Sequence, residues 1–321
     1  MSKYSNKYIL ETGIGLQDVD KLQNSTYFKQ ESERYLRGEI TLDEFDNIIT
    51  TYYKDKPSDN RSEEADKISI RIAQIISNDY FSFTVSQLLS IHKELFDGVY
   101  SHAGQLRDYN FTKNEWVLDG ESVIYGDCKQ IEALLQYDFN VEKQFKYNNL
   151  TINEKIEHFA TFIANLWQIH PFEEGNTRTT AVFVIKYLRS LGFDITNDTF
   201  AKNSWYFRNA LVRANYNNFN KEIYEDSSFL IKFLRNLLLG ENNELSNREI
   251  HVATKKTNIS TKESVIISLI KENPKITTNE IAIKTGVSLR TIKNAIKVLS
   301  NAKVIERVDG KRYGYWKINK L

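Results

Sequence analysis

The residues from His170 to Arg178 could carry out chemistry on a phosphate group. They read HPFEEGNTR and lie between two stretches that are apolar on nearly every side. Helices of that composition are buried inside a domain. Pro171 disfavours helix at the residue before it, and Gly175 permits a tight turn. We therefore expect a polar loop held between two buried helices.

The side chains of this loop suit a phosphate site that includes a metal ion. The second helix begins with free backbone N–H groups and the positive end of its dipole, and Arg178 stands in its first turn. Glu173 and Glu174 would repel a bare phosphate, whereas Mg²⁺ is held by one or two carboxylates together with phosphate oxygens. His170 is the residue suited to general-base work near neutral pH. The structural alternative is a capped helix with a buried histidine and surface glutamates.

The elements that must position this loop are mainly helical, so we expect a mainly α fold. Two short helices are predicted within 27–53, with Thr41 and Glu44 forming a capping box at the start of the second. Further helices are predicted at 127–143, 153–168, 178–191, 203–215 and 227–238. Residues 104–125 differ, because β-forming residues flank Asp119-Gly120, which is typical of a β-hairpin.

The loop resembles the signature of the Fic family, H-P-F-x-[D/E]-G-N-x-R, which His170–Arg178 matches closely. Upstream, Gly104-Gln105-Leu106-Arg107 and the hairpin that follows resemble the family's G-x-x-R motif and its target-binding flap. The resemblance covers roughly residues 62–240. It implies a helical Fic-type domain with a β-hairpin flap, which transfers AMP from Mg·ATP to a Ser, Thr or Tyr hydroxyl of another protein.

The resemblance also implies a role for each matched residue. His170 would deprotonate the target hydroxyl, Glu174 would hold Mg²⁺, and Phe172 would anchor the loop in the core. The nucleotide phosphates would be bound at Gly175, Asn176, Thr177 and Arg178. An extended target segment would add to an exposed flap edge at Trp116, Val117 and Leu118. The alternative is that the hairpin merely covers the core.

The chain departs from the family pattern at two positions. The fuller motif continues G-R-x-x-R, whereas here Thr177 replaces the glycine and Ala181 stands where the second arginine, associated with the nucleotide's γ-phosphate, would be. The family's inhibitory motif, [S/T]-x-x-x-E-[G/N], is matched only approximately at 62–66, where Asp66 replaces the glutamate. We therefore expect no autoinhibition of the usual form. Two other functions stay open: a transcription regulator whose Fic core senses a nucleotide or phosphorylated ligand without turnover, and transfer or removal of another phosphate-linked group.

The C-terminal part differs from the rest in charge and in pattern. Residues 255–321 hold 15 basic and 5 acidic residues, which leaves 28 basic and 37 acidic residues of the totals, 43 and 42, for 1–254. Three helical segments and a hairpin around Asp309-Gly310 resemble a winged helix-turn-helix. Such a domain places its third helix in the DNA major groove. The predicted DNA contacts are Arg290, Lys293, Asn294, Lys297, Lys311 and Arg312. The alternative is a winged helix that contacts protein.

The sequence predicts four parts and a cytoplasmic protein. The parts are a helical N-terminal extension at 1–61, a Fic-like catalytic domain at 62–245, a linker at 246–260 and a winged helix-turn-helix domain at 261–321. The single cysteine, Cys128, cannot form an internal disulfide. The first residues lack the apolar region of a secretory signal, and no apolar run approaches the roughly 20 residues of a membrane span. We expect no membrane partner, and the sequence leaves a homodimer open.

Overall fold

The computed structural model divides into two compact units, Met1–Ala253 and Thr254–Leu321. The structure describes residues 4–55, 61–221, 223–252, 261–285, 287–301, 304–308 and 314–319. Among these residues, no helix is both long enough and apolar enough to pass through a bilayer.

Helices build the first unit, which confirms the prediction of a mainly α fold. The helices are α1 (Asn6–Gly15), α2 (Thr26–Leu36), α3 (Leu42–Asp55), α4 (Arg61–Ser77), α5 (Val85–Phe96), α6 (Ile131–Gln144), α7 (Ile152–Ile169), α8 (Asn176–Ser190), α9 (Thr199–Ala214), α10 (Ser228–Leu239) and α11 (Asn247–Ile250). Short 3-10 turns lie at Leu16–Asp20, Trp116–Leu118, Cys128–Gln130 and Phe219–Lys221.

The two helices that flank the candidate loop lie in the centre of this unit. Helix α7 begins at a capping box, in which the side chain of Thr151 accepts from Glu154 N and the Glu154 carboxylate accepts from Thr151 N. Helix α8 is buried at every position from Asn176 to Leu188. Because neither helix can shift without opening the core, the loop between them starts and ends at fixed points.

The N-terminal helices pack directly on the same core. A Cβ added at Gly13 would lie 2.1 Å from the backbone oxygen of Ser69 in α4, and one added at Gly15 would lie 2.1 Å from that of Ala201 in α9. Only glycine permits backbones to approach this closely. The 3-10 turn that follows α1 is thereby held against the centre of the unit. Asp20, at the end of that turn, becomes important at the candidate site.

The flap, residues 104–125, does not form the predicted β-hairpin, and that prediction is wrong. Within these residues the structure assigns no strand, although the chain does reverse and Glu115 N donates a hydrogen bond to Glu121 O at 2.9 Å. A short 3-10 turn replaces the strand because Val117 and Leu118 are both buried in the core, with 0% and 1% exposed. A strand that has one face in solvent sends consecutive side chains to opposite faces and would bury only one of the two.

The base of the flap is fixed by a buried ion pair. The carboxylate of Glu115 accepts from both terminal nitrogens of Arg208 in α9, at 2.5 and 3.0 Å. The Glu115 side chain is fully buried, and the hydroxyl of Tyr125 donates to the same carboxylate at 3.2 Å. Such a bidentate pair restricts where both limbs of the flap leave the core.

The second unit has the architecture predicted for a winged helix-turn-helix. Its described elements are helices α12 (Thr261–Glu272), α13 (Thr278–Thr285) and α14 (Leu289–Asn301) and strands β1 (Ile305–Val308) and β2 (Tyr315–Ile318). The strands are antiparallel, with Ile305 opposite Ile318 and Val308 opposite Tyr315. The indole Nε1 of Trp316 donates to the carbonyl of Ile276 at 3.1 Å, which ties the wing to the turn between α12 and α13.

The segment predicted as a linker, 246–260, begins with residues that pack on the first unit. Ile250 and Val252 are buried, with 1% and 6% exposed. Asn209 Nδ2 in α9 donates to Asn247 Oδ1 at 2.7 Å. The described part of this segment is therefore anchored to the core that contains the candidate loop.

Replacing Asp138 of α6 with asparagine should stabilise the protein at neutral pH. Burial raises the pKa of Asp138 from 3.8 to about 6, so the folded state holds this proton more tightly than the unfolded state. The wild-type protein therefore loses stability as the pH rises from 3.8 through about 6, whereas the Asp138→Asn variant does not. The gain should be on the order of 1–2 kcal/mol at pH 7, less than the whole shift would give because solvent screens this half-buried carboxyl, and it should vanish below pH 4, measured by urea unfolding at both pH values. Equal gains at both pH values would contradict this explanation.

Candidate active site

The loop begins where α7 ends, at a residue in the left-handed conformation. His170 has φ 50° and ψ 59°, a region that few non-glycine residues adopt. Arg107, which is 4% exposed, donates from Nε to the carbonyl of His170 at 2.7 Å and from Nη2 to that of Ile169 at 3.3 Å. The backbone N–H of Arg107 donates to the carbonyl of Pro171 at 2.9 Å. Arg107, the arginine of the predicted G-x-x-R motif, thus supplies the hydrogen bonds that the end of α7 lacks.

Asn176 closes the loop on itself. Its Oδ1 accepts from the backbone N–H of Phe172 at 2.9 Å, and its Nδ2 donates to the Phe172 carbonyl at 2.7 Å. Next to it, Thr177 Oγ1 accepts from the indole Nε1 of Trp167 at 3.0 Å. The side chains of Asn176 and Thr177 therefore shape the loop, and the role of these residues toward phosphate stays a prediction.

The N-terminus of α8 is arranged as an anion site. Gly175, the N-cap, has φ 75° and no side chain with which to cap the helix. The backbone N–H groups of Asn176, Thr177 and Arg178 precede the first intrahelical hydrogen bond, from Thr179 N to Gly175 O at 3.0 Å. With the positive end of the helix dipole, these groups favour a phosphate.

Replacing Gly175 with alanine should destabilise the protein by about 2–4 kcal/mol. The positive φ disfavours any side chain, and the new Cβ would lie 2.3 Å from Cε2 of Phe96. Gly98 provides a matched control, because it also has a positive φ, 65°, but nothing lies within 4 Å of its added Cβ. Gly98→Ala should cost only about 1–2 kcal/mol in the same urea titration. Equal losses for the two variants would mean that the ring of Phe96 does not limit the loop.

His170 is held as a neutral imidazole. Its Nδ1 faces the carbonyl of Trp167 at 3.4 Å, and its ring stacks on Tyr125 with centroids 4.0 Å apart. Its Nε2 is buried and has no hydrogen-bond partner in the described part of the chain. Burial, and after it the charge of Lys113, keeps the pKa of His170 well below its usual range. The geometry places the proton on Nδ1 and leaves Nε2 free to accept one.

The same burial closes the site to a target. His170 is 3% exposed, with Tyr125 stacked on its ring and Phe111 approaching edge-on at 5.8 Å between centroids. Both aromatic residues belong to the flap. A hydroxyl group can therefore reach Nε2 only after the flap has moved.

Arg178 is already engaged within the chain through both of its terminal nitrogens, whereas its buried Nε has no hydrogen-bond partner among the described residues. It is 1% exposed, and its Nη2 lies 2.7 Å from Glu64 Oε1 and 2.9 Å from Asp20 Oδ2. Its Nη1 donates to Gln17 Oε1 at 3.1 Å, and its guanidinium lies over the ring of Phe96. A phosphate could bind this guanidinium only in competition with two carboxylates.

The acidic residue that faces the motif arginine is Glu64, not Asp66. Asp66 was the residue aligned with the inhibitory glutamate, yet its carboxylate accepts from Ser25 N and Ser25 Oγ at the start of α2 and from the hydroxyl of Tyr53. Residues two apart on a helix point to opposite sides, so only one of the two can face α8. The expectation of no autoinhibition of the usual form stays a prediction. The Glu64–Arg178 pair is a different contact, made by the first motif arginine.

The two glutamates of the loop also have partners. Lys113 Nζ of the flap lies 3.1 Å from Glu174 Oε2, and His102 Nδ1 lies 3.0 Å from Glu173 Oε2. The nearby Glu173 carboxylate raises the pKa of the Tyr109 hydroxyl above its usual range. Only Glu174 is half exposed, with 51% of its side chain accessible.

This donor set fits a magnesium ion that arrives with a nucleotide. Among the described residues, no three His, Cys, Asp or Glu side chains converge in a way that could hold a metal ion by themselves. One half-exposed carboxylate, that of Glu174, beside N–H groups that suit phosphate, matches the usual mode of Mg²⁺ binding, in which phosphate oxygens and water supply the other ligands. Glu174 is the residue that would hold it.

His92 positions the loop from α5. The backbone N–H of Gly104 donates to His92 Nδ1 at 2.8 Å, so the proton sits on Nε2, which lies 3.1 Å from the carbonyl of Glu174. The ring stacks on Phe172 with centroids 3.7 Å apart, and burial lowers the pKa of His92 to about 4. Phe172 itself is 1% exposed, the buried position that the sequence predicted for it.

The remaining predicted residues divide between exposed and buried positions. Trp116 is 48% exposed, but Val117 and Leu118 are buried, so the expectation of an exposed strand edge at 116–118 is wrong. The predicted DNA contacts of α14 are all exposed: Arg290, Lys293, Asn294 and Lys297. Lys311 and Arg312 lie outside the described residues.

Sequence reasoning missed Asp20, Glu64 and Lys113, although each contacts the loop. Lys113 and Glu174 are 61 positions apart, and the contact between Asp20 and Arg178 joins residues still further apart in the chain. No local spacing signals such pairs. The near match to the inhibitory motif at 62–66 indicated the correct turn of α4. It selected Asp66, however, whereas Glu64 is the residue on the face that contacts Arg178.

Comparison with protein families gives one match in the helical unit and one in the second unit. Residues 82–188 match the Fic/DOC family, and residues 262–315 match an HTH domain family. The helical unit with its charged loop thus contains a Fic/DOC domain, and the second unit contains a helix-turn-helix. The chain is a Fic-domain protein with a C-terminal helix-turn-helix domain.

Curated relatives and solved structures were also found. Protein adenylyltransferase VbhT of Bartonella schoenbuchensis is 28% identical over 117 residues, which are 36% of this chain and 23% of VbhT. Probable protein adenylyltransferase y4lH of Sinorhizobium fredii is 28% identical over 130 residues, 39% of this chain and 62% of that protein. The chain thus spans less than two thirds of these relatives. A Fic family protein from Desulfovibrio desulfuricans G20, with 14% identity and a TM-score of 0.44, aligns over 98% of this chain and 87% of its own.

Proposed function

We propose that this protein transfers AMP from Mg·ATP to a Ser, Thr or Tyr hydroxyl of a target protein. The observation that carries the proposal is the orientation of His170, whose Nδ1 faces the Trp167 carbonyl and whose Nε2 keeps its lone pair. This nitrogen belongs to the same short loop as the N–H groups that open α8. The relatives named protein adenylyltransferases support the reaction class.

The proposed step is an in-line displacement at the α-phosphorus. The target oxygen bonds to phosphorus, Nε2 of His170 takes the hydroxyl proton, and the bond from the α-phosphorus to the bridging oxygen breaks, so that pyrophosphate leaves. The N–H groups of Asn176 and Thr177 hold the phosphate chain. Magnesium, when bound with Glu174 as its protein ligand, would neutralise phosphate charge. Most of the rate gain then comes from positioning and electrostatic stabilisation.

Labelled ATP tests the proposal directly. The protein is incubated with Mg²⁺, a lysate and ATP labelled on either the α- or the γ-phosphate. We expect protein-bound label only from the α-labelled nucleotide. Label from the γ-position would indicate phosphoryl transfer, one form of the alternative in which another phosphate-linked group is transferred. Other labelled nucleotides test whether ATP is the donor, and a target that already carries AMP tests for removal.

A second candidate function is a regulator that senses a nucleotide without turnover. It is favoured by the contacts that the site makes within the chain, because Glu64 and Asp20 pair with Arg178 and the base is enclosed. Ala181, buried in α8, adds no cation for the γ-phosphate. This function requires nucleotide binding without protein-bound label from either position, together with a nucleotide-dependent change in DNA affinity.

We propose that the second unit binds DNA through α14. Exposed Arg290, Lys293, Asn294 and Lys297 share this helix. Fluorescence anisotropy with a duplex should show that affinity falls as salt rises, since each phosphate contact releases a counterion. Lys293→Gln should lower the slope of log K against log salt by about 1 if this side chain contacts a phosphate. A binding constant that does not change with salt would favour the protein-contact alternative.

A further inference from the structure

We propose that Lys113 is a positioning residue of the proposed metal subsite, which keeps the flap closed over the catalytic base until a magnesium-bound nucleotide takes over Glu174. Its ammonium group is bound to the carboxylate that would hold the metal ion. The inference rests on the proposed function for the identity of that ion, but the contact itself can be tested without it.

The contact joins the flap to the loop at the more exposed of the loop's two glutamates. Lys113 Nζ lies 3.1 Å from Glu174 Oε2, and the two side chains are 26% and 51% exposed. Glu173, in contrast, pairs with His102 from the segment preceding Arg107. Lys113 is therefore the flap residue that neutralises Glu174.

The same lysine is linked to the residues that cover His170. Its ammonium lies 5.6 Å from the centroid of the Phe111 ring, and that ring lies 5.8 Å from the ring of His170. Its backbone N–H donates to Ser122 Oγ at 3.1 Å, which binds it to the returning limb of the flap. Displacing the ammonium from Glu174 therefore loosens the edge-on cover of the base.

Charge explains why the contact and the nucleotide exclude one another. The ammonium supplies one positive charge to Glu174 while the site holds no nucleotide. A divalent ion at the same carboxylate would repel the ammonium, and one carboxylate cannot satisfy both at close range. Lys113 thus couples occupation of the nucleotide site to access of the target.

Hydrogen exchange measures the contact in the intact 321-residue chain without nucleotide. Lys113→Gln and Glu174→Gln should each speed exchange of the amides at 109–125 by about two- to fivefold, the factor expected for a partly exposed ion pair. The double variant should exchange no faster than either single one. Lys113→Arg keeps the charge, and Lys129→Gln removes an exposed lysine beyond the far end of the flap; both should match the wild type.

Calorimetry with a non-hydrolysable ATP analogue tests the exchange of partners. Lys113→Gln should bind the Mg²⁺-bound analogue about two- to fivefold more tightly than the wild type, since no ammonium has to be displaced. Weaker binding would make Lys113 a nucleotide ligand and overturn the proposal. Unchanged flap exchange in Lys113→Gln would also overturn it. A wild type that binds no nucleotide, but shows the predicted exchange pattern, would contradict the proposed function while supporting the contact.

Discussion

Replacing His170 with alanine should reduce AMP transfer by about 100- to 10,000-fold, the range expected when a general base is removed. Nε2 of His170 is the nitrogen on the loop that can accept the target proton, because Nδ1 is directed at the Trp167 carbonyl. The rate is measured as protein-bound label from α-labelled ATP. Binding of the Mg²⁺-bound analogue should change little, since the N–H groups of α8 are retained.

The control must separate loss of the base from loss of the fold. The His170 ring packs between Tyr125 and Trp167, so its removal leaves a cavity. A melting curve and the DNA affinity of His170→Ala report on folding of the two units. Added imidazole should restore part of the activity if it enters this cavity. Undiminished labelling by a folded His170→Ala protein would contradict the assignment of the base.

Replacing Arg178 with alanine should lower the free energy of unfolding by about 3–5 kcal/mol. The guanidinium is buried, and its removal would leave Glu64 with only the hydroxyl of Tyr100 as a partner and without a cation, close to the Asp20 carboxylate. A buried charge that loses its partner destabilises far more than a lost surface contact does. Urea unfolding followed by circular dichroism measures the difference.

Two further variants show whether the loss comes from the unpaired carboxylates. Arg37→Ala removes an arginine whose side chain is 56% exposed and paired with Glu39, and it should change the stability far less than Arg178→Ala does, because solvent screens an exposed pair. Combining Arg178→Met with Glu64→Gln and Asp20→Asn should recover most of the stability lost on removing Arg178, because no buried charge is left alone. A small loss for Arg178→Ala would mean that this arginine is free to serve phosphate.

The enclosed base and the buried pairs of Arg178 belong to one resting arrangement of the site. Glu174 is paired with Lys113, Arg178 with Glu64 and Asp20, and the base is covered by flap aromatics. Each pair would have to exchange its partner for a nucleotide or a metal ion. Activity, if AMP transfer is confirmed, therefore depends on how far these internal contacts outcompete Mg·ATP.

Much of this site could be predicted from local sequence. Pro171 and Gly175 marked the ends of the loop because each restricts the backbone at its own position, and the structure places α7 and α8 on either side. The capping box at Thr41 is present, with Glu44 N donating to Thr41 Oγ1. The prediction of a β-hairpin was wrong because Asp119-Gly120 signals only a chain reversal, whereas burial of Val117 decided that a 3-10 turn forms there.

The order of residues along the chain determined the chemistry that the loop can offer: an imidazole, a carboxylate and a helix start within nine positions, followed by a basic helical domain. Tertiary packing decided how each group is held. Helix periodicity, backbone restriction and charge composition are properties of neighbouring residues, so they can be read from the sequence. Which cation meets Glu174, and which carboxylates meet Arg178, depends on contacts between segments far apart in the chain, and those arise only when the helices pack.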